Sequence, residues 1–81
     1  MDLVILRLPE VLRKRGRSRS AHYRDIEDGL FPKPVHIGEH SIGWPEHEVQ
    51  TINAARIAGK TDEEIKTLVA TLEKARITFA A

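Results

Sequence analysis

The sequence contains no cysteine, little aromatic content and no long apolar run, and each of these absences narrows the possible functions. Without cysteine there are neither disulfides nor thiolate metal sites, which favours a cytoplasmic protein. The lack of a run of roughly eighteen apolar residues excludes a transmembrane helix, and residues 1–6 are too short for a signal peptide. A chain of 81 residues has room for one small domain. We therefore expect a small cytoplasmic protein without a membrane partner.

The formal net charge is only +1, but the positive and negative residues are separated along the chain. Residues 1–24 contain seven Arg and Lys against two acidic residues, a formal charge of +5. Residues 25–48 contain one Lys against six acidic residues, a charge of −5, and residues 49–81 add +1. Such asymmetry is typical of a protein with one side that faces a polyanion. A solvated basic surface would give the same composition, so charge alone leaves both interpretations open.

Two short helices joined by a tight turn are predicted near the N-terminus. Pro9 is typical of a first helical turn and Gly16 of the residue after a helix, which places the first helix over residues 9–15. Ser18 is a typical N-cap, so a second helix covers roughly residues 19–28. A three-residue turn between two such helices indicates a helix-turn-helix. The inward side of the second helix consists of Tyr23, Ile26 and Leu30.

A β-hairpin and a third helix are predicted next. The prolines of segment 31–34 exclude a helix, and residues 35–37 and 42–44 then read as two strands joined by a four-residue tip. Pro45 opens a third helix, which ends near Ala58. The apolar run at residues 3–6 is either a strand or an extended arm, because periodicity cannot decide for so short a segment. The inward stripe of the third helix consists of Val49, Ile52 and Arg56 or Ile57.

The final helix has the clearest start signal, because Thr61 and Glu64 have the spacing of a capping box. An apolar stripe then recurs at helical spacing over about four turns, as far as Phe79. The stripe either packs inside the chain or forms a seam between two copies, and its alternating spacing of three and four residues favours self-association. The residues predicted to self-associate are Ile65, Leu68, Leu72, Ala75 and Phe79.

The order of these elements predicts a mainly α-helical fold with a small β-hairpin, in which a winged helix-turn-helix is followed by one or two C-terminal helices. Such a layout suits DNA, because a helix fits the major groove and a hairpin reaches the neighbouring backbone or minor groove. We expect a DNA-binding domain over residues 1–59 and a C-terminal amphipathic helix over residues 60–81, for packing or self-association. The expected partners are double-stranded DNA and further copies of the chain, in a homodimer or cooperative array, without a cofactor or small-molecule ligand.

The strings at residues 5–11, 16–24, 29–35 and 42–44, which include Ser-Arg-Ser-x-x-Tyr-Arg, Phe-Pro-x-Pro and Gly-Trp, resemble the AlpA-type phage and prophage regulatory proteins. These are small relatives of the MerR-type winged-helix excisionases, and the similarity covers roughly residues 4–58. The resemblance implies transcriptional control of an integrase gene, or direct help with excision through bending of the attachment-site DNA.

Three residues depart from the pattern that the resemblance implies. The family usually has an apolar residue at the position of Arg17 and Ile or Leu at the position of His22. Either the second helix packs with a slight rotation, or His22 is half-buried and hydrogen-bonded. Asp25 is less compatible with a phosphate than the residue usually found there.

The side chains expected to contact DNA belong to the turn, the second helix and the wing. Arginine can bond to guanine or clamp a phosphate, and serine can bond to either. The alternatives are an N-cap role for Ser18, a solvated face for the arginines, and core packing for Tyr23 with its hydroxyl at the surface. Trp44 is expected in the core. The predicted DNA-contacting set is Arg17, Ser18, Arg19, Ser20, His22, Tyr23, Arg24, Lys33, His36, His40 and Ser41.

No pattern in the sequence indicates catalysis or metal binding. There is no Gly-rich phosphate loop and no nucleophile with a base at motif spacing, so we do not expect an enzyme. His36 and His40 straddle the predicted hairpin without a cysteine partner, which disfavours a zinc site. An alternative from another functional class is a protein-interaction or antitoxin-like module that uses the stripe at residues 65–79.

Overall fold

The computed structural model describes residues 2–80. Four helices and a three-stranded sheet follow one another in the predicted order, so the expectation of a mainly helical chain with a small β element in a winged helix-turn-helix layout is confirmed. None of the helices in this range is long and apolar enough to cross a membrane. The elements are β1 (Ile5–Leu6), α1 (Leu8–Arg15), α2 (Arg19–Glu27), β2 (Val35–His36), β3 (Ile42–Pro45), α3 (Glu46–Ile57), α4 (Asp62–Ala75) and a 3₁₀ segment (Arg76–Ala80).

The turn between α1 and α2 forms as its sequence predicts. Gly16 adopts φ +66°, a left-handed conformation that suits glycine, and its N–H donates to the carbonyls of Leu12 and Arg13. Ser18 then caps α2, because its hydroxyl accepts a hydrogen bond from the N–H of Ala21 at 3.2 Å. The two caps leave only three residues between the helices, and this fixes the direction in which α2 starts.

The sheet has the strand order β1-β3-β2 and is antiparallel throughout. The predicted hairpin is confirmed as β2 and β3, with Val35 opposite Gly43, and its first strand ends one residue early. The apolar run whose conformation the sequence left open contains β1, whose Leu6 lies opposite Trp44 of β3. This third strand ties the wing to the N-terminal end of the helix-turn-helix.

The core forms where α1, α2 and α3 meet β3 and α4. Trp44 is fully buried, as predicted, and its indole N–H donates to the carbonyl of Pro32 at 2.9 Å. The predicted inward stripe of α3 needs one correction: Ile57 is 88% exposed, and Ala55 is buried instead. Residues three apart share a helix face, so Ala55 continues the stripe from Ile52, whereas Ile57 ends the helix on its outer side. The buried apolar residues are Leu6, Val11, Phe31, Trp44, Val49, Ile52, Ala55, Ile65 and Val69.

The final helix begins with the predicted capping box, in which Thr61 and Glu64 each bond to the other's backbone N–H. The continuous helix ends at Ala75, so the expectation of helix as far as Phe79 is wrong, and that residue lies in the 3₁₀ segment. Ile65 is fully buried in the core of its own chain, which corrects its predicted role in self-association, because no second copy can reach it. Leu68 and Leu72 pack partly buried against the same core, and Ala75 is also partly buried.

Candidate nucleic-acid interface

The surface of α2 carries polar side chains along its whole length. Ser20, Arg24 and Glu27 are exposed at helical spacing of four and three residues, and Arg19 is exposed beside them. The Arg19 guanidinium lies 5.8 Å from the ring centroid of Tyr23, which is partly buried. This face combines hydroxyl and guanidinium donors on a helix that follows a tight turn, and these groups can bond to base edges and phosphates.

His22 is fully buried, unlike its neighbours in the predicted set. Its imidazole lies between the rings of Tyr23, Phe31 and Trp44, at centroid distances of 5.1, 5.2 and 4.9 Å. A side chain without exposed surface cannot touch DNA, so the expected DNA contact is corrected to a core role. The imidazole packs as an aromatic ring in the core, at a position where the resemblance implied an apolar residue.

A cluster of four charged or polar side chains, which we call the turn cluster, joins the end of α1, the turn and α2. It consists of Arg15, Arg17, His22 and Asp25. Arg15 donates to the Asp25 carboxylate and to Nδ1 of His22, both at 2.8 Å. Arg17 donates to both oxygens of the same carboxylate, at 3.0 and 2.8 Å. One buried carboxylate thus holds two arginines that precede α2 in the chain.

The turn cluster fixes the protonation states of its members. A guanidinium has no acceptor, so Nδ1 of His22 must carry the lone pair and the imidazole is neutral. Burial, with the nearby Arg15 charge, lowers the pKa of His22 from 6.5 to about 4. Burial also raises the pKa of Asp25, but the hydrogen bonds from Arg17 and Arg15 outweigh it and leave that pKa below its usual value. At neutral pH the cluster therefore contains two positive charges and one negative charge.

The turn cluster reduces the positive charge that the N-terminal block can offer to a polyanion. The Arg15 side chain is only 4% exposed and its guanidinium lies 3.8 Å from the ring centroid of Phe31. Arg17 is 42% exposed, but its guanidinium is held by Asp25. The basic residues of the block that are exposed and outside the cluster are Arg7, Arg13, Lys14, Arg19 and Arg24.

The wing carries the remaining members of the predicted DNA-contacting set. Its tip is closed by a hydrogen bond from the Ile37 N–H to the Ser41 carbonyl at 2.8 Å, so Ser41 is partly covered while His40 is exposed. Lys33 and His36 are also exposed. Trp44 of β3 contacts the rings of both His22 and Tyr23, which fixes the wing strands against α2.

The C-terminal segment fixes the base of the wing through two carboxylates. The Glu73 carboxylate accepts a hydrogen bond from the N–H of Lys33 at 2.9 Å, and Arg76 donates to the Lys33 carbonyl at 2.7 Å. Arg76 also donates to both oxygens of Glu48, at 2.9 and 2.6 Å. Glu48 is fully buried, and its hydrogen bonds raise the pKa of Arg76. The final helix therefore supports the wing as well as filling the core.

Sequence reasoning missed both buried ion-pair systems. Asp25 and Glu48 lie 10 and 28 residues from the arginines that they bind, Arg15 and Arg76, and no local pattern pairs residues at such distances. The one available signal was His22, a polar residue beside the inward stripe of α2. Such a residue calls for a buried hydrogen-bond partner, and Arg15 supplies it.

The part of the sequence that matches known proteins coincides with the elements from β1 to α3. The family model described as the prophage CP4-57 regulatory protein (AlpA) matches residues 4–57, from β1 to the end of α3. No solved structure matches the chain.

Two relatives are similar over most of this range. An uncharacterised protein, ORF88, of enterobacteria phage P4 is 44% identical over 55 residues, which are 68% of this chain and 62% of that protein. The DNA-binding transcriptional activator AlpA of Escherichia coli K12 is 39% identical over 51 residues, which are 56% of this chain and 73% of that protein. The matched part thus spans less than two thirds of the phage P4 protein. Because the family model covers more than half of the sequence, this chain belongs to the family of the prophage regulatory protein AlpA.

Proposed function

We propose that the chain is a sequence-specific DNA-binding transcriptional regulator of a phage or integrative element, with an integrase gene as its target. In this proposal α2 reads the major groove, and the wing contacts the neighbouring backbone. The relative AlpA is named as a DNA-binding transcriptional activator, which supports DNA as the partner. The observation that supports the proposal best is the exposed side of α2. There Arg19, Ser20 and Arg24 point to solvent, in the helix that Ser18 caps directly after the turn.

We assign a different role to each side chain of this surface according to its position. Arg24 and Ser20 lie on the exposed stripe of α2 and are proposed to bond to base edges. Arg19 lies in the first turn, where helix N–H groups lack intrahelical partners, and is proposed to bind phosphate beside them. Tyr23 packs its ring inward and offers its hydroxyl to a phosphate. The exposed wing residues Lys33, His36 and His40, with Ser41, are proposed to contact the flanking backbone.

The balance of charge predicts modest affinity for any single copy. Five exposed basic residues of the N-terminal block remain after the turn cluster is formed, and acidic residues such as Glu27 and Glu39 lie close to the proposed surface in sequence. The logarithm of the binding constant falls as the logarithm of the salt concentration rises, and each phosphate contact makes this slope steeper by about 0.9. Few contacts therefore give a shallow slope. Useful occupancy then requires a dimer or adjacent sites.

The test is selection of duplexes from a random pool, followed by anisotropy titrations of the best duplex over a range of salt. Affinity should fall with salt, and Arg24→Gln should weaken binding by about tenfold or more if it reads a base. Arg19→Gln should reduce the salt slope by about 1 if it binds phosphate. The matched control is Lys74→Gln, which removes an exposed cation of α4 outside the predicted DNA-contacting set.

Two results would contradict the proposal: recovery of no preferred duplex, or equal losses from Arg24→Gln and Lys74→Gln. With a selected duplex in hand, circular-permutation gel shifts test the role in excision that the family resemblance implies. That role requires DNA bending, which makes mobility depend on the position of the site. Because transcription factors can also bend DNA, only a mobility independent of that position decides, and it contradicts the excision role.

A further inference from the structure

One face of the sheet is apolar and open to solvent. Side chains alternate between the faces of a strand, and residues opposite each other share a face. The pairs Ile5–Pro45 and Val35–Gly43 therefore lie on the same side. This side is the one opposite to Leu6 and Trp44, which point into the core. Ile5 and Ile37 both lie over Gly43, within 2.8 Å of the position that a Cβ would occupy.

Most of the large apolar side chains that the described residues expose belong to this face or to its edge. Phe79 adjoins it, with its ring 5.4 Å from that of His47. Arg76 also lies beside this face but is paired with Glu48, so the face has little charge. Side chains of this size that are about half exposed amount to roughly 400 Å² of apolar surface, the size of patches that mark interaction sites. They are Leu3 (56% exposed), Val4 (40%), Ile5 (46%), Ile37 (46%) and Phe79 (44%).

The edge of the sheet beside this face has backbone groups that can pair with another strand. Strand β1 is at the end of the order β1-β3-β2, so one of its sides has no neighbouring strand among the described residues. The Val4 carbonyl accepts a hydrogen bond from the Glu46 N–H at 2.7 Å and therefore points toward β3. Because these directions alternate along an extended segment, the N–H and C=O groups of Ile5 point to the open side, and we extend the alternation to Leu3, which precedes β1.

We propose that two copies of the chain pair antiparallel along residues 3–5, which enter β1, about a two-fold axis at Val4, to form one six-stranded sheet. This register places Leu3 of each copy opposite Ile5 of the other, and both residues carry outward N–H and C=O groups. Exposed apolar side chains then meet their counterparts across the axis, and the paired residues Leu3, Val4 and Ile5 carry no charge. A second copy fits because the edge is complementary to itself under this rotation, as a two-fold interface requires.

The size of the contact makes the pair a weak one. Leu3, Val4 and Ile5 supply only part of the exposed apolar surface of roughly 400 Å². Stable interfaces bury about 800 Å² on each partner, so this contact is smaller than theirs. We expect dissociation constants in roughly the 10 µM to 1 mM range in free solution. The residues of the edge share no member with the predicted DNA-contacting set, so the pairing can be tested without DNA.

A single-cysteine cross-link tests the register. The chain contains no cysteine, so Val4→Cys creates one thiol per copy. Antiparallel residues that face each other as a non-hydrogen-bonded pair have Cα atoms about 4.5 Å apart, within disulfide range. Val4→Cys should form a covalent dimer under mild oxidation at least tenfold faster than Ile57→Cys, whose position is 88% exposed but lies on α3. Equal rates would overturn the proposed register.

Sedimentation equilibrium tests the surface, with circular dichroism to show that each variant is folded. The average mass of the natural chain should rise with concentration, Leu3→Lys should weaken association by tenfold or more, and Ile57→Lys should leave it unchanged. Ile37→Lys separates edge pairing from stacking of two apolar faces, because Ile37 lies on the face but away from the edge. A natural chain that stays monomeric at 1 mM overturns the proposal, and so does an Ile37→Lys loss as large as that of Leu3→Lys.

Discussion

Asp25 binds Arg17 through both of its carboxylate oxygens, at 3.0 and 2.8 Å, and thereby ties the turn to the helix that follows it. The same carboxylate accepts a hydrogen bond from Arg15, the last residue of α1. Paired guanidinium and carboxylate groups of this kind are directional, so the contact sets the orientation of α2 as well as its stability. The geometry of the proposed reading helix thus depends on one buried acid.

Asp25→Asn should destabilise the protein by about 3–5 kcal/mol, because removal of the carboxylate leaves the buried Arg15 charge without its counterion. Urea denaturation followed by circular dichroism measures this loss. Asp28→Asn is the control, since Asp28 is an exposed acid just beyond the end of the same helix. If both variants lost the same free energy, the turn cluster would not contribute to stability as we infer.

Acid should lower the free energy of unfolding over a pH range that is set by the folded and unfolded pKa values of His22. The unfolded imidazole titrates near its ordinary pKa of 6.5, whereas the folded one binds a proton only near pH 4. The unfolded state therefore takes up more protons between these values, and the free energy of unfolding is full above pH 6.5 and falls as the pH drops toward 4. The loss over this window is on the order of 3 kcal/mol.

Urea titrations at several pH values between 7 and 4 measure this slope. The pKa of Asp25 is below its usual 3.8, so loss of its ionised contacts adds to the effect only at still lower pH. His22→Leu removes the titrating group, and the part of the slope that His22 causes should disappear with it. A slope that persists unchanged in this variant would contradict the role of His22.

Gly43→Ala should destabilise the sheet although the backbone of Gly43 is ordinary. A Cβ at this position would lie 2.8 Å from the Leu6 carbonyl oxygen and 2.6 Å from the Ile5 side chain, and the backbone oxygen cannot move without breaking the β1–β3 pairing. We expect a cost of about 1–3 kcal/mol, typical of forcing an extra group into a packed site. Thermal unfolding compares it with Gly38→Ala, where nothing lies within 4 Å of the added carbon. Equal melting temperatures would contradict this account.

The local elements of the fold could be predicted because their signals lie within a few residues of one another. Gly16, Ser18 and the Thr61–Glu64 capping box bound their helices as predicted, since each bonds to backbone groups no more than four residues away. The hairpin followed from prolines and a short alternation. These cues also place α2 so that Arg19, Ser20 and Arg24 are exposed as predicted, whereas His22 is buried.

The long-range contacts could not be predicted, because they depend on which faces meet. The sequence offered no reason to bury Asp25 and Glu48, whose counterions come from other elements. The apolar stripe of α4 has the same spacing whether it meets its own core or a second copy, and only the fold shows that Ile65 faces inward. For His22 the sequence left open a DNA contact and a half-buried, hydrogen-bonded position. The structure has it fully buried and hydrogen-bonded to Arg15, a residue that lies seven positions away on another helix.

Arg76→Ala should destabilise the chain by about 3–5 kcal/mol, because it leaves the fully buried Glu48 carboxylate without its cation. Lys74→Ala is the matched control, since it removes an exposed cation from the last turn of α4. The double variant Arg76→Ala with Glu48→Gln should recover part of the loss, because a neutral amide costs less to bury than an unpaired charge. Urea denaturation of the natural chain, Arg76→Ala, Glu48→Gln and the double variant gives the coupling energy between the two side chains. A loss in Arg76→Ala no greater than in Lys74→Ala would mean that the 3₁₀ segment does not hold α3 and the wing together through this pair.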